Sequence, residues 1–155
     1  MASDYPTTTV DYRVVGLYMA DRFTKYVPGS SYTITKATLR LAKVGTFTGT
    51  LTCSIYADAN GTPGTLVGSS SPVSLSSLAG GGTYQDINFT GLSAPVTMGR
   101  VYYVVCTCSN VDGVNQINWA SGGTYSHPEG YRGKTSEPWV LEGNYELTYK
   151  LYSSP

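Results

Sequence analysis

Charge is scarce in this sequence. Ten Lys and Arg residues balance ten Asp and Glu residues, and together they make up 13% of the 155 residues. A chain with no net charge has no field to draw in phosphate backbones or anionic lipids, so neither nucleic acid nor a membrane surface is an expected partner. Long apolar runs are missing too. No segment approaches the ~20 residues of a membrane-spanning helix, and no membrane insertion is expected. The opening MASDYPTTTV has neither a basic stretch nor an apolar core of secretory length, so Sec export is not expected of the sequence as it stands. Histidine occurs once, at His127, and no C-x-x-C pair is present, which leaves a transition-metal site little to build on. No G-x-S-x-G elbow surrounds a serine and no Gly-rich phosphate loop precedes a helix. Glu129, Glu137 and Glu142 are the carboxylates from which a glycosidase pair would have to come, with solvated loop charges as the plainer reading. The expectation is a protein that is not an enzyme and takes no cofactor.

Cysteine is sparse and odd in number: Cys53, Cys106 and Cys108. The last two stand two apart on one strand, on the same side, a poor geometry for a mutual bridge. Three reduced core thiols are expected, and a bridge from Cys53 to one of the pair is the alternative.

What the sequence does have is fourteen Tyr and eighteen Gly, with abundant Thr and Ser. Its length suits one domain, able to bury roughly two thirds of its unfolded surface. Residues 31–64, SYTITKATLRLAKVGTFTGTLTCSIYADANGTPG, lay out two strands and their turns. Leu39 and Leu41 follow Ala37 at period two, and Leu51, Cys53 and Ile55 do the same, with polar residues between. Tyr32 and Ile34 sit in the opposite phase, so a bulge or a change of sheet is expected near Lys36. Residues 58–64, DANGTPG, demand a reversal through positive φ. Further strands are expected around residues 10–23, 66–75, 84–89, 101–108, 114–120 and 145–151, with Ile87, Phe89, Leu147 and Leu151 inward. In 101–108, VYYVVCTC, both phases are apolar, so that strand should be central and covered on both faces. Residues 1–9 read as a polar arm ordered by contact with another chain or a host particle, residues 26–31 as a turn, and residues 10–155 as a single domain. Nothing repeats at 20–50 residues, which excludes a propeller or solenoid. The predicted fold is an all-β antiparallel sandwich of jelly-roll type, with eight or nine strands and no significant helix.

The runs SYTITKATLRLAKVG, TGTLTCSIYAD, NGTPGTLVGSS, VYYVV and YELTYKLY resemble the choice-of-anchor, or carbohydrate-module-like, jelly-roll domains of secreted bacterial proteins and phage structural proteins. The resemblance implies a binding or structural role and supplies no catalytic residue.

Candidate ligand residues cluster in residues 109–144, the longest irregular segment, which holds both Trp and the single His. A sugar wants a flat aromatic face for its C–H side and amide, carboxylate or guanidinium groups for its hydroxyls. Tyr125, Tyr131 and Trp139 would supply the first, and Asp112, Asn115 and Arg132 the second. Core packing for Trp119 and a loop-pinning role for Trp139 are the structural readings of the two tryptophans. Asp58 and Asn60 are a weak calcium alternative, with an Asx-type turn as the plainer account. The function expected is a structural or attachment protein of a virus-like particle, located on the virion surface as a capsid decoration, fibre or tail-associated domain. Its partners would be copies of itself, a capsid or tail protein, or surface glycans. The alternative is a carbohydrate-binding or adhesion module of a secreted protein.

Overall fold

The computed structural model describes residues 2–4, 11–15, 18–24, 31–97, 99–110, 114–122, 130–133, 140–141 and 146–154, with side chains for 31–97, 99–110, 114–120 and 147–154. Fifteen strands occur among them. In chain order they are β1 (Ala2–Asp4), β2 (Asp11–Val15), β3 (Tyr18–Thr24), β4 (Tyr32–Val44), β5 (Thr50–Ala59), β6 (Thr62–Ser69), β7 (Val73–Ser74), β8 (Tyr84–Phe89), β9 (Ala94–Val96), β10 (Val101–Cys108), β11 (Gln116–Gly122), β12 (Gly130–Gly133), β13 (Val140–Leu141), β14 (Glu146–Leu147) and β15 (Tyr149–Ser154). One three-residue 3-10 turn, Leu75–Ser77, is the helical element among the described residues, capped by the Ser74 side chain accepting from the Ser76 N–H. The fold is an antiparallel β-sandwich, as the alternation predicts.

The first sheet is built on β4, which runs for thirteen residues. One edge of β4 pairs with β9 along residues 32–34 and with β8 along 37–42. The other edge pairs with β15 along 33–39 and with β11 along 41–44. That second edge is forked. The chain from β14 to β15 enters between β11 and β4, and Thr148 sits in the fork: its N–H donates to the Ala120 carbonyl at 2.8 Å, and its carbonyl accepts from the Arg40 N–H at 3.3 Å. Beyond the fork, β1 pairs with β15 and β2 with β11. The second sheet has the order β13-β12-β3-β10-β5-β6, with β7 also on β5.

The phase conflict around Lys36 resolves as a bulge. Lys36 faces Tyr152 and Ile34 faces the next residue, Ser153, which leaves Thr35 unpaired on β4. The extra residue turns Ile34 to the same side as Ala37, Leu39 and Leu41, and all four are buried in one cluster.

That cluster also takes Leu51, Cys53, Ile55, Phe89, Trp119, Leu147 and Leu151, with Ile87 half-buried against it. Trp119 is fully buried; its Nε1–H donates to the Thr148 carbonyl at 3.0 Å, and its ring meets Tyr149 edge-on at 6.4 Å. β10 is covered on both faces as expected: Tyr102, Val104 and Cys106 face the main core, while Tyr103 and Val105 form a second cluster with Tyr56 and Val101.

The strand count exceeds the eight or nine expected from sequence. β1, β7, β9, β13 and β14 hold two or three residues each, too few to show a period. The region 10–23 divides into β2 and β3, which belong to different sheets. Segment 109–144 contributes β12 and β13 besides β11. Three residues of the N-terminal arm form β1, so for Ala2–Asp4 the backbone partner is β15 of the same chain. The turn expected at 26–31 lies outside the described residues except for Ser31.

All three cysteines are free and buried. Cys53 of β5 and Cys106 of β10 are direct cross-strand neighbours. Burial pushes the Cys53 and Cys108 thiols up to about 12, and Cys106 rises well above the ordinary thiol range through burial and the two neighbouring sulfurs. At neutral pH these groups are protonated and poor nucleophiles. Iodoacetamide should therefore leave the native protein unmodified and alkylate three thiols after unfolding without reductant; recovery of a single modified thiol would reveal a bridge. Leu41→Ala should cost about 2–5 kcal/mol in denaturant unfolding, and a loss below about 1 kcal/mol would contradict its full burial.

Candidate functional site

The β5–β6 hairpin reverses at Asn60-Gly61, both with positive φ, 56° and 86°. This is the two-residue turn that matches strand twist and selects Asn-Gly. Asp58 serves it directly: Oδ1 accepts from the Gly61 N–H at 3.1 Å and from the Tyr103 hydroxyl at 2.9 Å. The carboxylate is thus anchored from both its own hairpin and the adjacent β10. These bonds match the Asx-type turn expected of Asp58, whose carboxylate reaches the N–H three residues on.

β6 is irregular against β5. Ile55 faces Gly68 and Tyr56 faces Leu66, then Asp58 faces Pro63. Each step puts one surplus residue on β6, which bends it. Gly64 lets the bent strand cross close to β5, because a Cβ there would collide with the Ala59 side chain and crowd the Ala57 carbonyl. At this end of the second sheet, Ala57, Asp58, Arg100, Val101 and Tyr102 line an open cleft of about 240 Å³. The Tyr102 hydroxyl accepts from the Thr97 N–H at 2.8 Å, fixing the turn that presents Arg100. Arg100 forms no ion pair with another described residue; the pair present among them is Arg40–Asp86, at 3.1 Å. The cleft therefore offers an anchored carboxylate, a guanidinium that is not ion-paired with another described residue, and apolar walls.

A second recess, of about 50 Å³, lies at the fork of the first sheet among Thr38, Arg40, Asp86, Thr148, Tyr149 and Lys150. It has room for little more than water. Around it, Thr38 donates to Asn88 Oδ1 at 2.7 Å, and the Lys36 ammonium lies 4.5 Å from the centre of the Tyr152 ring.

The sugar-site residues expected from sequence divide. Tyr125, Trp139 and Asp112 lie outside the described residues, as do His127, Glu129, Glu137 and Glu142. Tyr131 and Arg132 fall in β12, opposite Ala20 and Met19 of β3. Asn115 is half-buried at the entrance to β11 in the other sheet, where its side chain lies against Gly45. Asn115 is thus not in the same sheet as Tyr131 and Arg132. The Asp58–Arg100 cleft was not found from sequence, although DANGTPG marked half of it; the approach of Arg100 depends on the β5–β10 register, which no local pattern encodes.

No family model matches this sequence, and no curated protein matches it.

Removing the Asp58 carboxylate takes away the acceptor of two hydrogen bonds, one from the exposed Gly61 N–H and one from the part-buried Tyr103 hydroxyl. Asp58→Ala should lower stability by about 1–2 kcal/mol in urea unfolding, with Asp58→Asn recovering part of it. An unchanged midpoint in the alanine variant would show that the two bonds carry no net stability.

Proposed function

We propose that this chain is a non-catalytic structural or attachment protein of a virus-like particle, a jelly-roll-type decoration, fibre or tail-associated domain that also engages surface glycans. The observation that carries the reading is the composition of the first sheet's border. It is formed there by β1, a three-residue strand from the N-terminal segment, laid on β15. A strand at a sheet border leaves backbone donors and acceptors on its outer side, where a neighbouring chain can add by strand pairing, and the three residues of β1 make that template a short one. A chain with no net charge and rich in Thr and Ser fits that use, since contact by backbone pairing does not depend on complementary charge. The carbohydrate-binding module of a secreted protein is the second reading, favoured by the cleft beside Asp58 and Arg100.

Sedimentation velocity on the purified chain, intact and lacking residues 2–9, tests the first reading. The intact chain should form concentration-dependent oligomers or bind its particle, and the deletion should weaken this. The deletion should also remove the three β1–β15 cross-strand pairs, each worth roughly 0.2–1 kcal/mol, for a modest loss of stability. Equal assembly of both forms would move the contact away from the N-terminal border.

A further inference from the structure

We infer that the cleft at the end of the second sheet binds one carboxylate-bearing sugar ring, with Arg100 taking the carboxylate and Asp58 accepting from ring hydroxyls. The inference rests on the glycan part of the reading above and moves the site from residues 109–144 to the β5–β6 and β9–β10 turns.

Size comes first. A volume of about 240 Å³ falls below the roughly 300–1,000 Å³ of clefts that enclose drug-sized ligands, so it suits a single ring rather than a chain of rings. Charge comes next. Arg100 lines the cleft and is not ion-paired with a described residue, even with Asp58 in the same lining. A guanidinium without an ion-pair partner among the described residues matches a planar carboxylate, which it can hold through two parallel N–H···O bonds. A polyanion such as a phosphate chain suits the site poorly, because the fixed Asp58 carboxylate would repel every charge beyond the one Arg100 neutralises.

Asp58 is the other half of the recognition. A carboxylate offers about four acceptor positions, and the two donors on Oδ1 leave Oδ2 for ligand donors. Because two donors already draw on its charge, the group suits hydroxyls better than a full ammonium, which separates a sugar acid from an amino acid of similar size. Ala57 and Val101, both half-buried in the lining, supply apolar surface for the C–H side of the ring. The anchoring bonds are made before any ligand arrives, so little ordering is required on binding.

Saturation-transfer NMR titration of the intact chain with methyl β-D-glucuronide, methyl β-D-glucoside and L-alanine tests this. The first two probes differ at the carboxylate alone. The glucuronide should bind with a Kd of millimolar order and the glucoside about tenfold more weakly. Arg100→Gln should abolish that preference, and Arg100→Lys should restore only part of it. Asp58→Asn, checked for an intact fold by its amide spectrum, should weaken both sugars. No glucuronide binding at tens of millimolar, equal binding of the two glycosides, tighter binding of L-alanine, or a preference that survives Arg100→Gln would each overturn the assignment. None of these outcomes bears on assembly, which sedimentation reads separately.

Discussion

Double-sided pairing along β4 is the constraint from which the rest of the molecule follows. A strand bonded on both edges must satisfy two neighbours at once, and β4 does so along most of its thirteen residues against β8, β9, β11 and β15. No single partner is long enough to cover an edge of that length. Each edge is therefore shared, and one of the two seams is the fork at Thr148. Trp119 closes the fork from the core side, donating to the same carbonyl that accepts from Arg40. A buried indole N–H needs an acceptor, and the Thr148 carbonyl, with two lone pairs, serves the Arg40 N–H and the indole together.

Much of this frame was legible in the residues. The apolar alternation in β4, β5 and β8 marked the inward face, and the clash of phases between Ile34 and Ala37 marked the bulge. Continuous apolar character in β10 signalled two covered faces. What escaped was whatever depends on partners distant in sequence. Two-residue strands such as β7 and β14 are defined by the strand they lie against, and the split of residues 10–23 between the sheets reflects where β10 and β11 stand. The cleft escaped for the same reason. Asp58 reads as a turn residue, Arg100 lies just before the strand expected at 101–108, and the β5–β10 register brings them to one opening.

The two ends of the second sheet's hairpin differ in character. Through Leu51–Ile55 the pairing of β5 with β10 is regular and its inward side chains are wholly buried. Toward Asp58 the partner β6 gains two surplus residues, Gly64 permits a close crossing, and polar side chains replace apolar ones. Irregular pairing there carries little core and so is inexpensive in stability.

The facing positions of Cys53 and Cys106 bear on how the molecule ages. Inside the sandwich the sulfurs are out of reach of oxidants and of other chains, so their chemistry is governed by how often the sheet opens rather than by their own reactivity. Each opening would release three thiols together, two of them on one strand, and where dissolved oxygen is present to take the two electrons, thiols of two opened chains would join as an intermolecular disulfide. The lifetime of the closed sandwich thus sets the rate of covalent aggregation, and a packing defect far from any sulfur would first become visible as disulfide-linked multimers.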